Sequence, residues 1–142
     1  MDEKEIIGVE ESFTPSVYWK RPVVIAKGRG AIVWDINGKE YIDCTSSYGV
    51  CIVGHAHPKV VEAIKRQAEK LTACHGSFYN EARSELLKKI VKIAPKSLNQ
   101  VFLGNSGAEA VECAIKVARK FSKKSEMIAM VGAFHGKTMG AL

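Results

Sequence analysis

The sequence has little of what marks membrane, secreted, metal-binding or disordered proteins. No apolar run approaches the ~20 residues that a membrane-spanning helix needs. The start, Met1-Asp2-Glu3-Lys4-Glu5, is acidic and polar, whereas a secretory signal has a basic start and then an apolar stretch. The expected location is the cytoplasm. The four cysteines, Cys44, Cys51, Cys74 and Cys113, form no C-x-x-C. They are expected to be reduced thiols acting as small apolar residues, not a disulfide framework. Internal repeats and low-complexity segments are absent. Hydrophobic residues make up 46% and charged residues 25% of the 142, the proportions of a globular chain, which excludes the disordered and fibrous classes. The formal net charge of +6 raises nucleic acid as a partner. The basic residues are dispersed, however. The densest group, Lys116, Arg119, Lys120, Lys123 and Lys124, has the spacing of a solvated helix face and no aromatic stacking platform. No nucleic-acid or membrane partner is expected.

Proline is scarce, and its few positions punctuate the chain. Residues 1–22, with Pro15 and Pro22, are expected to form an irregular, extended arm. A β-like pattern runs from Val23 to Asp43. Asn37-Gly38 sits between two apolar runs, and a type I′ hairpin turn suits that dipeptide because it needs φ > 0 twice. Residues 44–57 have loop chemistry. Pro58 opens a helix, with Val60, Val61, Ile64, Ala68 and Leu71 on one face. Residues 72–80 form a second loop. Asn80 is placed to cap a helix that Pro95 ends. Val101-Phe102-Leu103 and Met127-Ile128-Ala129-Met130-Val131 have the apolar continuity of buried strands. A helix from about Ala108 to Phe121 lies between them. Strand, helix and strand imply a βαβ unit and a parallel sheet, hence an α/β fold.

Three segments carry chemistry. In Gly104-Asn105-Ser106-Gly107-Ala108-Glu109-Ala110, Ser106 and Glu109 have the S-x-x-E spacing of a capping box. A helix N-terminus after a parallel strand is also an anion site, because its N–H groups lack partners and the helix dipole is positive there. Gly132-Ala133-Phe134-His135-Gly136-Lys137-Thr138 follows the second apolar run, and a flat aromatic there can stack on a planar cofactor. Its Gly136-Lys137-Thr138 resembles the end of a P-loop, G-x-x-x-x-G-K-[ST]. The first glycine of such a loop falls on Val131, so a nucleotide-binding module through this imperfect loop is the alternative from a different class. Gly54-His55-Ala56-His57-Pro58 contains an H-x-H pair. No acidic or thiol partner is spaced to complete a tetrahedral site, so the histidines are expected to be structural, and no metal is expected. Taken singly, each segment also has a plain structural reading: a cap without a ligand, a core phenylalanine at a glycine turn, a helix start.

Taken in order, the segments resemble one family. Gly30-Ala31-Ile32-Val33-Trp34-Asp35-Ile36-Asn37-Gly38-Lys39-Glu40-Tyr41-Ile42-Asp43, then Gly54-His55-Ala56-His57-Pro58, then Asn105-Ser106-Gly107-Ala108-Glu109-Ala110, then Phe134-His135-Gly136-Lys137-Thr138 are similar to class-III aminotransferases. This group includes acetylornithine, ornithine and 4-aminobutyrate aminotransferases. The resemblance extends over the chain from about residue 10.

The resemblance implies the PLP-dependent transferase fold type I, with pyridoxal 5′-phosphate as cofactor. Residues 1–60 would be the N-terminal part of the small domain, 61–80 an interdomain helix and loop, and 81–142 the start of the large PLP-binding domain. Ser106, Gly107 and Ala108 would hold the cofactor's phosphate. Many members carry Thr at position 108, whereas Ala108 offers only its N–H. Phe134 would stack on the pyridine ring, and His135 would shape that wall. Position 137 is usually Arg; Lys137 keeps the charge without the bidentate fork. Tyr48 and Tyr79 would contact substrate. The implied reaction passes the ω-amino group of acetylornithine, or of a related arginine- or lysine-pathway donor, to 2-oxoglutarate. 4-Aminobutyrate or another ω-amino acid is the alternative donor. A homodimer is implied. The Schiff-base lysine matches none of the lysines in this sequence, so residues 1–142 are expected to be inactive alone.

Overall fold

The hairpin signal at Asn37-Gly38 produces a hairpin, but on a different turn. In the computed structural model, which describes all 142 residues, strands β1 (Ile25–Arg29), β2 (Ile32–Asp35) and β3 (Glu40–Ile42) form an antiparallel sheet in the order β1-β2-β3. The β2–β3 register pairs Ile32 with Ile42 and Trp34 with Glu40. Gly38 alone of the turn dipeptide has positive φ, at 86°. The Gly38 N–H donates to the Asp35 carbonyl at 3.0 Å, and the Asp35 N–H to the Lys39 carbonyl at 3.0 Å. This is a three-residue loop, a right-handed turn closed by one left-handed glycine, in place of the expected type I′ turn. The cause is Asp35. Its Oδ1 accepts the Asn37 and Lys39 N–H groups, each at 2.9 Å, and its Oδ2 accepts the Tyr41 hydroxyl at 2.8 Å. The side chain thereby holds the loop one residue longer than the dipeptide suggests. The Tyr41 hydroxyl is the largest of the contacts that hold the Asp35 carboxyl below its ordinary pKa, and the same bond raises that of Tyr41. Val33 and Asp35, two residues apart, are the buried positions of β2, as the period-2 geometry of a strand requires.

The sheet belongs to a unit spanning Met1–Cys74; a second unit spans His75–Leu142. In the first, the expected irregular arm is instead helix α1 (Glu3–Phe13). Asp2 caps it by accepting the Glu5 N–H at 2.9 Å, and Glu3 and Glu5 put negative charge at the positive end. Pro15 falls beyond the helix end, so the prolines bound α1 without breaking it. The loop after β3 contains α2 (Ser46–Gly49), a single turn of left-handed backbone, and Pro58 opens α3 (Pro58–Lys70) as expected. The apolar face of α3 forms, but Val60, Ile64 and Leu71 remain exposed.

In the second unit α4 (Glu81–Ile93) starts on Asn80, whose Oδ1 accepts the Arg83 N–H at 3.0 Å. Helix α5 (Gly107–Ser122) starts on Ser106 and ends at Lys123, which is left-handed at φ 60°. The two apolar runs that flank α5 are not strands. Residues 101–103 and 127–131 join no sheet, and Phe102, Ile128 and Val131 are exposed. A parallel strand exists only through bonds to neighbouring strands, and neither run finds one here. Within neither unit does a helix pack along another element.

The turn assignment separates two substitutions. Gly38→Ala puts a Cβ at left-handed backbone and is expected to cost about 1–2 kcal/mol. Asn37→Ala, at ordinary backbone, is expected to stay within about 0.5 kcal/mol. Urea midpoints of the two variants check this; an equal loss in both would restore the type I′ turn.

Candidate cofactor-binding site

Helix α5 begins with a reciprocal cap. Ser106 is extended, at φ −148° and ψ 161°, and its Oγ accepts the Glu109 N–H at 3.2 Å. The Glu109 carboxylate reaches back beyond the cap residue and accepts the Asn105 N–H at 2.6 Å. It also accepts the Ser106 hydroxyl at 3.3 Å. The expected box therefore forms with its return bond shifted by one residue. The Ala110 N–H makes the first helical bond, to the Ser106 carbonyl at 3.1 Å. The N–H groups of Gly107 and Ala108 find no acceptor within the chain. Two free donors at the positive end of a 16-residue helix form an anion-binding geometry.

The second motif packs against this start. Gly136 is buried at φ 147°. A Cβ built on it would lie 2.7 Å from the Ala108 Cβ and 2.9 Å from the Ala141 Cβ. Only glycine permits so close an approach of the 132–142 loop to the first turn of α5. One helical turn further on, the Glu112 Oε1 accepts the Gly140 N–H at 2.8 Å. The Glu112 carboxyl is held below its ordinary pKa by the neighbouring Thr138 hydroxyl first and the Gly140 N–H second. The Thr138 hydroxyl is buried close to the carboxylate but falls short of a hydrogen bond of good geometry. Phe134 and His135 lie on the exposed limb of this loop, before Gly136. The structure thus brings together Ala108 and Gly136, one from each motif. The residues that fasten the loop, Glu112 and Gly140, carried no sequence signal.

Tyr79 lies in the same unit, fully exposed, and directly precedes the α4 cap. The turn before it is closed by the Phe78 N–H, which donates to the His75 carbonyl at 3.1 Å. Arg83 also donates through its Nη2 to the Phe78 carbonyl.

In the first unit Tyr48 stands on α2 with its side chain almost wholly exposed. It borders a 520 Å³ cleft with Ile6, Ile7, Trp19 and Val24. Ser46, Ser47 and Tyr48 have φ of 48°, 53° and 57°. Left-handed backbone costs a residue with a Cβ roughly 1–2 kcal/mol, so this turn is strained. The H-x-H pair explains part of how it is held. His55 has an acidic partner that spacing did not reveal: its Nε2 lies 2.7 Å from the Asp43 Oδ2. The Asp43 Oδ1 accepts the Thr45 N–H at 2.9 Å, the Thr45 hydroxyl at 2.8 Å and the Ser46 N–H at 3.0 Å. These contacts, His55 foremost and Thr45 next, hold the Asp43 carboxyl well below the usual carboxylate range. The one hint in the sequence was Asp-x-Thr-Ser, an Asx-turn pattern. His57 immediately precedes α3, and its Nδ1 is buried without a partner.

The family profile of "Aminotransferase class-III" matches residues 15–142. The chain belongs to the class-III aminotransferases. Acetylornithine aminotransferase of Methanopyrus kandleri is 48% identical over all 142 residues, which cover 36% of that enzyme. A [LysW]-aminoadipate semialdehyde transaminase of Deinococcus radiodurans is 43% identical over 136 residues, covering 96% of this chain and 32% of its own. Among solved structures, the taurine:2-oxoglutarate aminotransferase of Bifidobacterium kashiwanohense, in complex with PLP and glutamate, superposes with a TM-score of 0.90 at 30% identity. That match covers 99% of this chain and 32% of that one. The chain therefore spans about a third of the length of these class-III relatives, which are PLP-dependent enzymes.

Two predictions follow from the contacts of these loops. Gly136→Ala forces the 132–142 loop away from Ala108 and is expected to destabilise by about 1–3 kcal/mol, read as a lowered urea midpoint; an unchanged midpoint refutes the close approach. Asp43 titrates lower when folded than the ~3.9 of an unfolded aspartate, so its stabilisation is complete above pH ~4 and is lost as pH falls below that value. Urea midpoints taken from pH 7 down to pH 3 are expected to drop less steeply in Asp43→Asn than in the parent.

Proposed function

We propose that this sequence is the phosphate-binding and substrate-loop portion of a PLP-dependent aminotransferase. Its reaction is transfer of an ω-amino group from an acetylornithine-type or related lysine- or arginine-pathway amine donor to 2-oxoglutarate. The observation that carries the reading is the pair of unpartnered N–H groups of Gly107 and Ala108 at the start of α5, closed from one side by Gly136. Small residues there leave the backbone open to a phosphate, as the cofactor requires. Gly107 and Ala108 would donate their N–H groups to the phosphate, and the Ser106 hydroxyl would become a third donor by turning from the Glu109 carboxylate. The helix dipole would add attraction for the dianion. Phe134 would cover one face of the pyridine ring, and His135 would border it. Tyr48 and Tyr79, both exposed on loops, would contact the amino donor. Bound PLP supplies the electron sink of the reaction. The residues here bind and orient it, and none of their lysines is assigned the covalent role. The working form would be a cytoplasmic homodimer. Residues 1–60 would belong to its small domain, 61–80 to the interdomain connection and 81–142 to its large domain. The names carried by the relatives favour acetylornithine-type donors over 4-aminobutyrate.

The phosphate is the part that discriminates. In competition dialysis against the purified protein, PLP is expected to displace pyridoxal at roughly 10- to 100-fold lower concentration, since charge-assisted hydrogen bonds are worth about 1.5–3 kcal/mol. Equal competition by the two vitamers would reject the α5 start as the phosphate site. In the holoenzyme, glutamate formation from 2-oxoglutarate is expected to be faster with N-acetylornithine than with 4-aminobutyrate. The reverse order would move the donor assignment to 4-aminobutyrate.

A further inference from the structure

The strained turn that displays Tyr48 does not hold itself. Its own main-chain bonds are few: the Gly49 N–H to the Thr45 carbonyl at 3.1 Å, and the Val50 and Cys51 N–H groups to the Ser46 carbonyl, the latter at 2.9 Å. Three residues with a Cβ sit in left-handed backbone there, and such outliers persist only where the surroundings over-determine them. What over-determines this one is a chain of contacts leading back to the sheet. His55 pairs with Gly30 through two main-chain bonds, both 2.9 Å, just after β1. Its ring lies over Gly28, where an added Cβ would come within 2.7 Å of the ring Cγ. Its position and its ring plane are therefore set by the hairpin. The ring meets Asp43, and the other oxygen of Asp43 gathers three donors from Thr45 and Ser46, at the entrance of the turn.

We propose that Asp43 and His55 are positioning residues that clamp the left-handed turn Ser46–Gly49 to the β-hairpin and so hold Tyr48 in place for the amino donor. The clamp rests on the reading of Tyr48 as a donor contact for its functional consequence, but not for its structural one. With His55 removed, Asp43 keeps its three donors and its main-chain bond to the Ala31 carbonyl at 2.8 Å, but its side chain loses the contact that orients it. The turn can then relax toward ordinary backbone, and Tyr48 moves off. Both clamp residues would act through the turn, as positioning residues.

The test compares His55→Ala, His55→Gln and Tyr48→Ala in the complete PLP-loaded enzyme of which this sequence is proposed to be a portion, with two readouts. The first is steady-state kinetics for the amino donor. His55→Ala is expected to raise KM roughly tenfold with a much smaller change in kcat, a modest displacement of a binding group. His55→Gln, whose amide can donate to Asp43, is expected to recover most of that loss. The second is the alkylation rate of Cys51 by iodoacetamide relative to Cys113, both half-buried thiols. The Cys51 Sγ lies 3.9 Å from the Ser47 Oγ, so it reports the turn, while Cys113 on α5 reports general unfolding. His55→Ala is expected to raise the Cys51-to-Cys113 ratio, and His55→Gln to restore it. A parent-like ratio and KM in His55→Ala overturn the clamp, as does an equal acceleration of both thiols. A raised ratio with an unmoved KM in both His55→Ala and Tyr48→Ala upholds the clamp and rejects Tyr48 as the donor contact.

Discussion

A backbone N–H that leaves a ladder must find another acceptor, and most of the local order in this protein follows from where those acceptors are. At α1 it is Asp2, at α4 Asn80, at α5 Ser106 with Glu109 in return. In the hairpin loop it is Asp35, before α2 it is Asp43, and over α5 it is Glu112. Each of these side chains converts an open main-chain donor into a fixed bend, because an unsatisfied donor costs more than the side chain's own ordering. At the start of α5 the Gly107 and Ala108 donors have no acceptor within the chain, as the first donors of a helix ordinarily lack one, and they are also the ones that a phosphate would need.

This constraint explains which features were readable before the structure. The caps at Asn80 and Ser106 are local: donor and acceptor lie three residues apart, so spacing alone reveals them. The hairpin was readable for the same reason, though its turn type was not. Asn37-Gly38 suggests two left-handed residues, but Asp35 collects the Asn37 and Lys39 donors and enlarges the loop. Helix α1 is masked by the two prolines that follow it, while Asp2 and the acidic first turn carry the decisive signal. The histidine motif was read as structural, but its partner was invisible. Asp43 lies 12 residues away on the far side of a loop, and no periodicity connects them. The latch between Glu112 and Gly140 spans 28 residues and is silent for the same reason. Residues 101–103 and 127–131 show the opposite failure. Their apolar continuity is a local signal, but strand pairing is not a local property.

The two loops that matter most are held in different ways. The 132–142 loop is seated by shape: Gly136 meets Ala108 with no room for a methyl group. The loop carrying Tyr48 is held by hydrogen bonds to a carboxylate that itself contacts an imidazole. Shape contacts are insensitive to pH and salt, whereas the Asp43 contacts depend on ionisation. The first loop is therefore fixed at Gly136 by packing, and the second by contacts that require an ionised Asp43.

That division also accounts for where the sequence departs from its family resemblance. At position 108 many class-III members carry a threonine, and here it is Ala108. A seat built from main-chain donors loses one hydroxyl in that exchange but keeps its N–H and the helix dipole, which do not depend on the side chain. A small residue at 108 is also what lets Gly136 approach to within van der Waals contact, since a branched side chain in the same rotamer space would push the loop outward. The missing hydroxyl and the close loop are two consequences of one residue. The first would weaken a single contact to the proposed phosphate. The second packs the loop that carries Phe134 against the first turn of α5 at Gly136.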